Sequence, residues 1–111
     1  MSEYPAWLTT FPEADLPVEG LRGWLLQGTD HLIILLEAEQ ETVVPEHAHG
    51  HQWGIVVDGE MDLSIAGERR TYRRGESYFI PAGTLHGARL RKGVRILDLF
   101  ADTHRYRPKV P

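Results

Sequence analysis

The chain has no cysteine. This excludes disulfides, thiolate metal sites and a cysteine nucleophile, so any bound metal must be held by imidazole, carboxylate or amide groups. Long apolar runs are missing as well. The longest, Leu32 to Leu36, is far too short to span a bilayer. No basic segment followed by an apolar one opens the chain, so it does not read as a secretion signal, and a cytoplasmic location is expected. There is no excess of basic charge. The net charge of -4, with histidines neutral, opposes nucleic-acid binding, which needs a concentrated basic face. Arg69, Arg70, Arg73 and Arg74 do cluster, but at strand spacing they read as a solvated face. Sustained i, i+3, i+4 periodicity is absent, as are internal repeats and low-complexity segments.

What remains is a chain of 111 residues, enough for one domain with one real core. Its 41% apolar and 25% charged residues suit a soluble globular protein. Short apolar runs recur between glycine-rich turns. GLRGWLLQG and HLIILLEAE, split by Gly28, Thr29 and Asp30, read as a hairpin. Leu32 to Leu36 lacks polar alternation and is expected to be covered on both faces. Glu37, Glu39, Gln40 and Glu41 read as an acidic turn, followed by a short strand from Thr42 that Pro45 stops.

Gln52 to Val57 is strand-like, and Asp58-Gly59 is a two-residue signal for a type I′ hairpin. Met61 to Ile65 alternates, Ala66 to Glu68 turns, and Arg69 to Arg73 forms a polar strand. Ser77 to Ile80, His86 to Arg91 and Val94 to Phe100 complete the series. The pattern predicts an all-β fold, a sandwich or barrel. Residues 1–19, with Pro5, Pro12 and Pro17, read as an extended arm that packs on the barrel wall or a partner subunit. Residues 20–101 form the barrel and 102–111 a tail.

Four of the six histidines lie between Val43 and Arg91. His47 and His49 are two apart, so on an extended strand both imidazoles face one side. Neutral imidazole suits zinc, copper, iron and nickel, and two such ligands need a third from elsewhere. His86, in a glycine-proline turn followed by a strand, is the best source. His31 and His104 read as surface residues. His51 shares the parity of His47 and His49 only if the strand stays regular through Gly50.

These residues resemble the motifs of a small single-domain cupin. The second cupin motif is glycine, five residues, proline, one residue, glycine, two residues, histidine. Gly75, Pro81, Gly83 and His86 match it in full, with Leu90 where an asparagine is usual. The first motif is matched by His47, His49 and Gly59, with Gln52 at the position of the usual glutamate and a spacing one residue short. The resemblance covers about residues 20–101 and implies a double-stranded β-helix, the jelly-roll barrel, in a single domain. It also implies a divalent transition metal (iron, nickel, zinc, manganese or copper) held by His47, His49, Gln52 and His86. If Gln52 points away, the site has three histidines, or His51 completes it.

A glutamine here leaves a shell of four neutral ligands, which favours hydroxide or an anionic small molecule as the remaining ligand. Glu46, Asp58 and Asp98 are the carboxylates available to orient the imidazoles. The wall is expected from Trp24, Leu26, Leu35, Val56, Met61, Leu63, Phe79, Ile96 and Phe100, and Arg89 could meet an anion. Family analogy implies a metal-dependent enzyme of dioxygenase or lyase/isomerase type. Tyr78 is the only tyrosine near a motif and no His–Asp dyad is visible, which weakens an epimerase. The alternative is a non-catalytic binding or sensor barrel. Exposed edges and the apolar arm suggest a homodimer.

Overall fold

A computed structural model describes residues 2–110. Apart from a single 3-10 turn, Leu8–Thr10, its regular elements are strands. They are β1 (Ala14–Asp15), β2 (Leu21–Gln27), β3 (Leu32–Ala38), β4 (Thr42–His47), β5 (Gln52–Asp58) and β6 (Glu60–Ile65). Then follow β7 (Glu68–Arg73), β8 (Ser77–Ile80), β9 (His86–Leu90), β10 (Arg95–Phe100) and β11 (Arg107–Pro108). Two antiparallel sheets face each other, one in the order β2-β3-β10-β5-β8 and the other β4-β9-β6-β7. β1 and β11 make a small separate ladder. Among the described residues, no helix is long and apolar enough to cross a membrane.

Period-2 alternation explains the layering. β10 buries Ile96, Asp98 and Phe100 inward, and β6 buries Met61 and Leu63. Leu25, Ile34, Leu36, Val56 and Ile80 from the first sheet and Leu90 from the second join them, so one core fills the space between the sheets. Burying a side chain of this size contributes roughly 1.5–3 kcal/mol. β3 is covered on both faces, as its unbroken apolar run predicts. Ile34 and Leu36 belong to the inner core, while Leu35 packs with Trp24 and Tyr4 on the outside.

That outer cluster is built by the N-terminal residues. Tyr4 meets Trp24 edge-on at 6.0 Å, and its hydroxyl donates to the Leu36 carbonyl at 2.9 Å. Leu8 and Phe11 pack beside it against Leu26 and Leu97. The segment therefore lies on its own barrel wall. It leaves Trp53, Val57 and Phe79 of the same sheet exposed.

Three local expectations need correction. Asp58-Gly59 does not close a hairpin: β5 pairs with β10 and β8, whereas β6 pairs with β7 and β9. Only Gly59 has positive φ, and the chain turns there from one sheet into the other. The two-residue hairpin with positive φ at both positions is Ala66-Gly67, joining β6 to β7. Pro45 does not end β4, which runs on to His47. The pairing with β9 shifts between Val44 and His47, and this irregularity accommodates a residue without an N–H. Glu37 is not in a turn but at the end of β3, 5% exposed, where its carboxylate accepts a hydrogen bond from the Glu3 amide.

Candidate metal centre

The two sheets meet the polar cluster at one end of the barrel. His47 closes β4 and is the register partner of His86, the first residue of β9. His49 lies two residues past β4, in the loop that leads into β5, and Gln52 opens β5. The irregularity at Pro45 turns His47 toward His86, and the loop carries His49 around the same point. The imidazole centroids are 5.2 Å apart for His47 and His49, 4.3 Å for His47 and His86, and 4.7 Å for His49 and His86. One ring nitrogen from each lies within 4.8 Å of the others.

Hydrogen bonding fixes the tautomers. Nδ1 of His47 lies 2.8 Å from the Pro45 carbonyl, Nδ1 of His49 2.9 Å from that of Gly50, and Nδ1 of His86 2.9 Å from that of Thr84. A carbonyl has no proton to give, so each Nδ1 must carry the hydrogen. The neutral rings then present bare Nε2 lone pairs. Those of His49 and His86 face each other at 3.1 Å, a contact that is repulsive unless a cation lies between them. Burial, more than any other influence, pushes the pKa values of His49 and His86 below the ordinary histidine value, and the nearby charge of Arg105 adds to this. Both rings are therefore neutral near pH 7, the form that binds a metal.

The carboxylates expected to orient these rings do not do so. Glu46 is exposed, and Asp58 pairs with Arg95 at 2.8 Å. Backbone carbonyls take the role because each lies one or two residues from its histidine. Pro45 and Thr84 stand in the same relation to His47 and His86, each two residues before it.

Asp98 instead serves Gln52. It is buried, its Oδ1 accepts from the Tyr78 hydroxyl at 2.6 Å, and the Gln52 amide lies beside it. Burial lifts its pKa to about 6, with the Tyr78 and Gln52 hydrogen bonds opposing the rise. Burial also raises Tyr78 well above the ordinary tyrosine value. Gln52 is 8% exposed and lines the same cavity as the three histidines, yet its Oε1 has no hydrogen-bond partner among the described residues. A buried acceptor without a donor is rare and destabilising. Three bare imidazole nitrogens and one orphaned amide oxygen are a donor set that fits a divalent transition metal.

His51 faces away. Its Nδ1 accepts from the Ala82 amide at 3.0 Å, and its ring stacks on Phe79 at 5.6 Å. The cavity wall differs from the expected one. Met61, Leu63, Ile96 and Phe100 do line it. Trp24, Leu26 and Leu35 point to the opposite face under the N-terminal segment, Phe79 is 54% exposed, and Val56 is core that does not reach the cavity. Arg89 is exposed on the outer surface. Leu36, Val44, Tyr78 and Tyr106 also line the cavity, together with Leu21, Ala88 and Leu90. Leu36 and Tyr78 lie next to Leu35 and Phe79, the residues expected in the wall, on the opposite strand parity. Nothing in the charged, proline-containing tail pointed to Tyr106, which packs edge-on against Phe100 at 5.6 Å.

Opposed antiparallel sheets around an inward-facing histidine cluster define a jelly-roll barrel with the features of a metal-binding domain. The family can be stated directly: the chain belongs to the cupin domain family, whose model matches residues 33–100. It is similar to a quercetin 2,3-dioxygenase of Bacillus subtilis (strain 168), with 36% identity over 61 residues, 53% of this chain. The chain spans only 18% of that protein's length. Among solved structures, an RmlC-like cupin from Shewanella frigidimarina matches with TM-score 0.72 and 26% identity, covering 80% of this chain and 82% of that one. KdgF from a Halomonas species matches with TM-score 0.71 and 25% identity, covering 78% of this chain and 83% of its own.

Proposed function

We propose that this cupin binds one divalent transition-metal ion through Nε2 of His47, His49 and His86 and Oε1 of Gln52. It then acts as a metal-dependent enzyme of dioxygenase or lyase/isomerase type on a small organic anion. The observation that carries the reading is the convergence of three bare Nε2 atoms beside an unpartnered, buried Oε1. Similarity to a protein named as a dioxygenase supports the oxygenase class.

When bound, the metal supplies Lewis acidity and open coordination positions. The chain supplies the rest. Pro45, Gly50 and Thr84 hold the imidazoles in one tautomer, and Asp98 with Tyr78 backs the Gln52 amide. Met61, Leu63, Ile96 and Phe100 exclude water, which strengthens charge attraction inside. No ligand in the set carries a charge, so an anion is the natural complement to the metal. The cavity is small, about 60 Å³, with room for roughly four to six water-sized groups.

A second reading, a non-catalytic ligand sensor, is favoured by one observation. Besides the histidines, the titratable groups that line the cavity are Tyr78, Asp98 and Tyr106, and the first two are bonded to each other. The experiment is oxygen uptake and product analysis with metal-loaded protein against flavonols, 2-oxo acids, 2-hydroxy acids and dicarbonyls. Turnover of a compact acid supports the enzyme. A thermal shift by the same acid without turnover supports the sensor.

A further inference from the structure

Arg105 has no assigned task. It lies in the tail, past the last strand of the barrel, and the sequence offers no reason to place it near the histidines. The structure places it there through a set of long-range ties. The Gly50 amide donates to the Asp102 carboxylate at 2.8 Å, and the Ala101 amide donates to the His51 carbonyl at 2.9 Å. Gln27 donates to the Thr103 carbonyl at 2.7 Å, and the Arg105 amide closes a turn onto the Asp102 carbonyl at 3.2 Å. The contact is close: a Cβ at Gly50 would meet the Asp102 carboxylate at 2.6 Å. The turn 102–105 is thus clamped to the loop that carries His49.

The clamp sets the guanidinium in an aromatic cradle. Its carbon lies 4.5 Å from the Tyr106 ring centroid and 6.0 Å from that of Phe100. Both rings line the cavity, and Phe100 touches the His49 ring edge-on at 5.3 Å. Arg105 therefore stands one ring away from the imidazole cluster.

Its hydrogen bonding is incomplete. Arg22, Arg70, Arg73, Arg91 and Arg95 each pair with a carboxylate. Arg105 pairs with none among the described residues; neither do Arg69, Arg74, Arg89 and Arg107, but those four are exposed, whereas the Nε of Arg105 is buried without a partner. The nearest acid in sequence, Asp102, is turned to the Gly50 amide. An arginine held rigid, desolvated at Nε and free of a protein carboxylate is prepared for an external planar anion.

We infer that Arg105 is the anion anchor of this site, and that the ligand is a small organic carboxylate held between the guanidinium and the metal. The inference rests on the metal reading above and names the ligand class for the same centre. A carboxylate fits for two reasons. It pairs with a guanidinium fork, and it compensates a centre whose ligands are all neutral. The aromatic cradle of Tyr106 and Phe100 holds the guanidinium in place, so little conformational freedom is lost on binding.

The test titrates malonate by calorimetry into zinc-loaded protein, with zinc content measured before and after. Wild type, Arg105→Gln and Arg105→Lys are compared. Malonate should bind the wild type, and Arg105→Gln should weaken it at least about tenfold, in line with loss of a charge-assisted hydrogen bond. Arg105→Lys, which keeps the charge but not the fork, should lose less, roughly threefold. Zinc content should be equal in all three. Malonate affinity in Arg105→Gln within about twofold of wild type, with zinc retained, overturns the anchor and leaves the metal reading intact. A wild type that takes up no zinc, nor iron, nickel, manganese or copper, overturns both. Should Arg105→Gln fail to fold, Arg105→Lys decides alone: unchanged malonate affinity there removes the fork from the account.

Discussion

The Tyr78 hydroxyl lies 2.6 Å from Oδ1 of Asp98, and the two groups meet over Gly54. A Cβ at position 54 would overlap both. The glycine is what lets strands β5, β8 and β10 bring a phenol and a carboxylate together behind Gln52. Gly54→Ala should therefore destabilise the protein by about 2–4 kcal/mol through overpacking of a buried polar pair. Denaturant unfolding measures this. A loss below about 0.5 kcal/mol would show that the pair moves apart at little cost.

Asp98 also gives the metal-free protein a defined pH response. Its folded pKa of about 6 is raised by burial above the ordinary carboxylate value. Below about pH 4 both folded and unfolded states hold the proton. Above that the unfolded state releases it first, so stability falls as pH rises through about 4 to 6, by roughly 3 kcal/mol in total. His49 and His86 act in the opposite sense. Their folded pKa values are depressed, so they remove stability as pH falls below the unfolded histidine value of about 6.5. Asp98→Asn isolates the first effect. The wild-type curve minus the variant curve, from chemical denaturation at several pH values, should slope downward between pH 4 and 6. Parallel curves would contradict the burial of an ionisable group there.

Gln52→Glu tests the neutral shell. The new carboxylate would stand beside Asp98, so the metal-free variant should be less stable by about 1–3 kcal/mol. With metal the sign reverses, because a charged ligand offsets the ion, and affinity should rise about tenfold or more. Unfolding with and without zinc, and competition against a chelating dye, read the two effects. Unchanged metal affinity would mean that residue 52 is not a ligand.

Ala66 sits in the β6–β7 turn with φ of 51°, a conformation that costs an L-residue with a Cβ roughly 1 kcal/mol. Ala66→Asn should raise stability by about 0.5–1 kcal/mol, since asparagine tolerates this region. Thermal unfolding measures the gain. A loss would indicate that the turn has another geometry in solution.

The strands and the histidines were legible for a common reason. Period-2 alternation in Met61–Ile65 and the glycine-proline punctuation before His86 are local signals that survive whatever packs around them. The misread parts depend on distant partners. Asp58-Gly59 has the composition of a hairpin turn, but whether the flanking strands pair is decided by β10 and β8, which compete for β5. Trp24 and Leu35 are as apolar as true cavity residues, and only the N-terminal segment folding over them gives their face something to bury against. The groups that orient the imidazoles are backbone carbonyls, which no side-chain pattern reveals. Arg105 is hidden for a related reason, because its place comes from a contact between Asp102 and Gly50 across the fold.

The central claim is a single metal ion held by His47, His49, His86 and Gln52. It is tested most directly by an anomalous diffraction map of crystals of the protein purified without chelator, collected at the iron, nickel, zinc, manganese and copper edges. The expected result is one peak per chain between the three Nε2 atoms, at about 2.0–2.2 Å from each and with Oε1 of Gln52 within bonding distance. The absence of a peak at every edge, even after each metal has been added back, would contradict it.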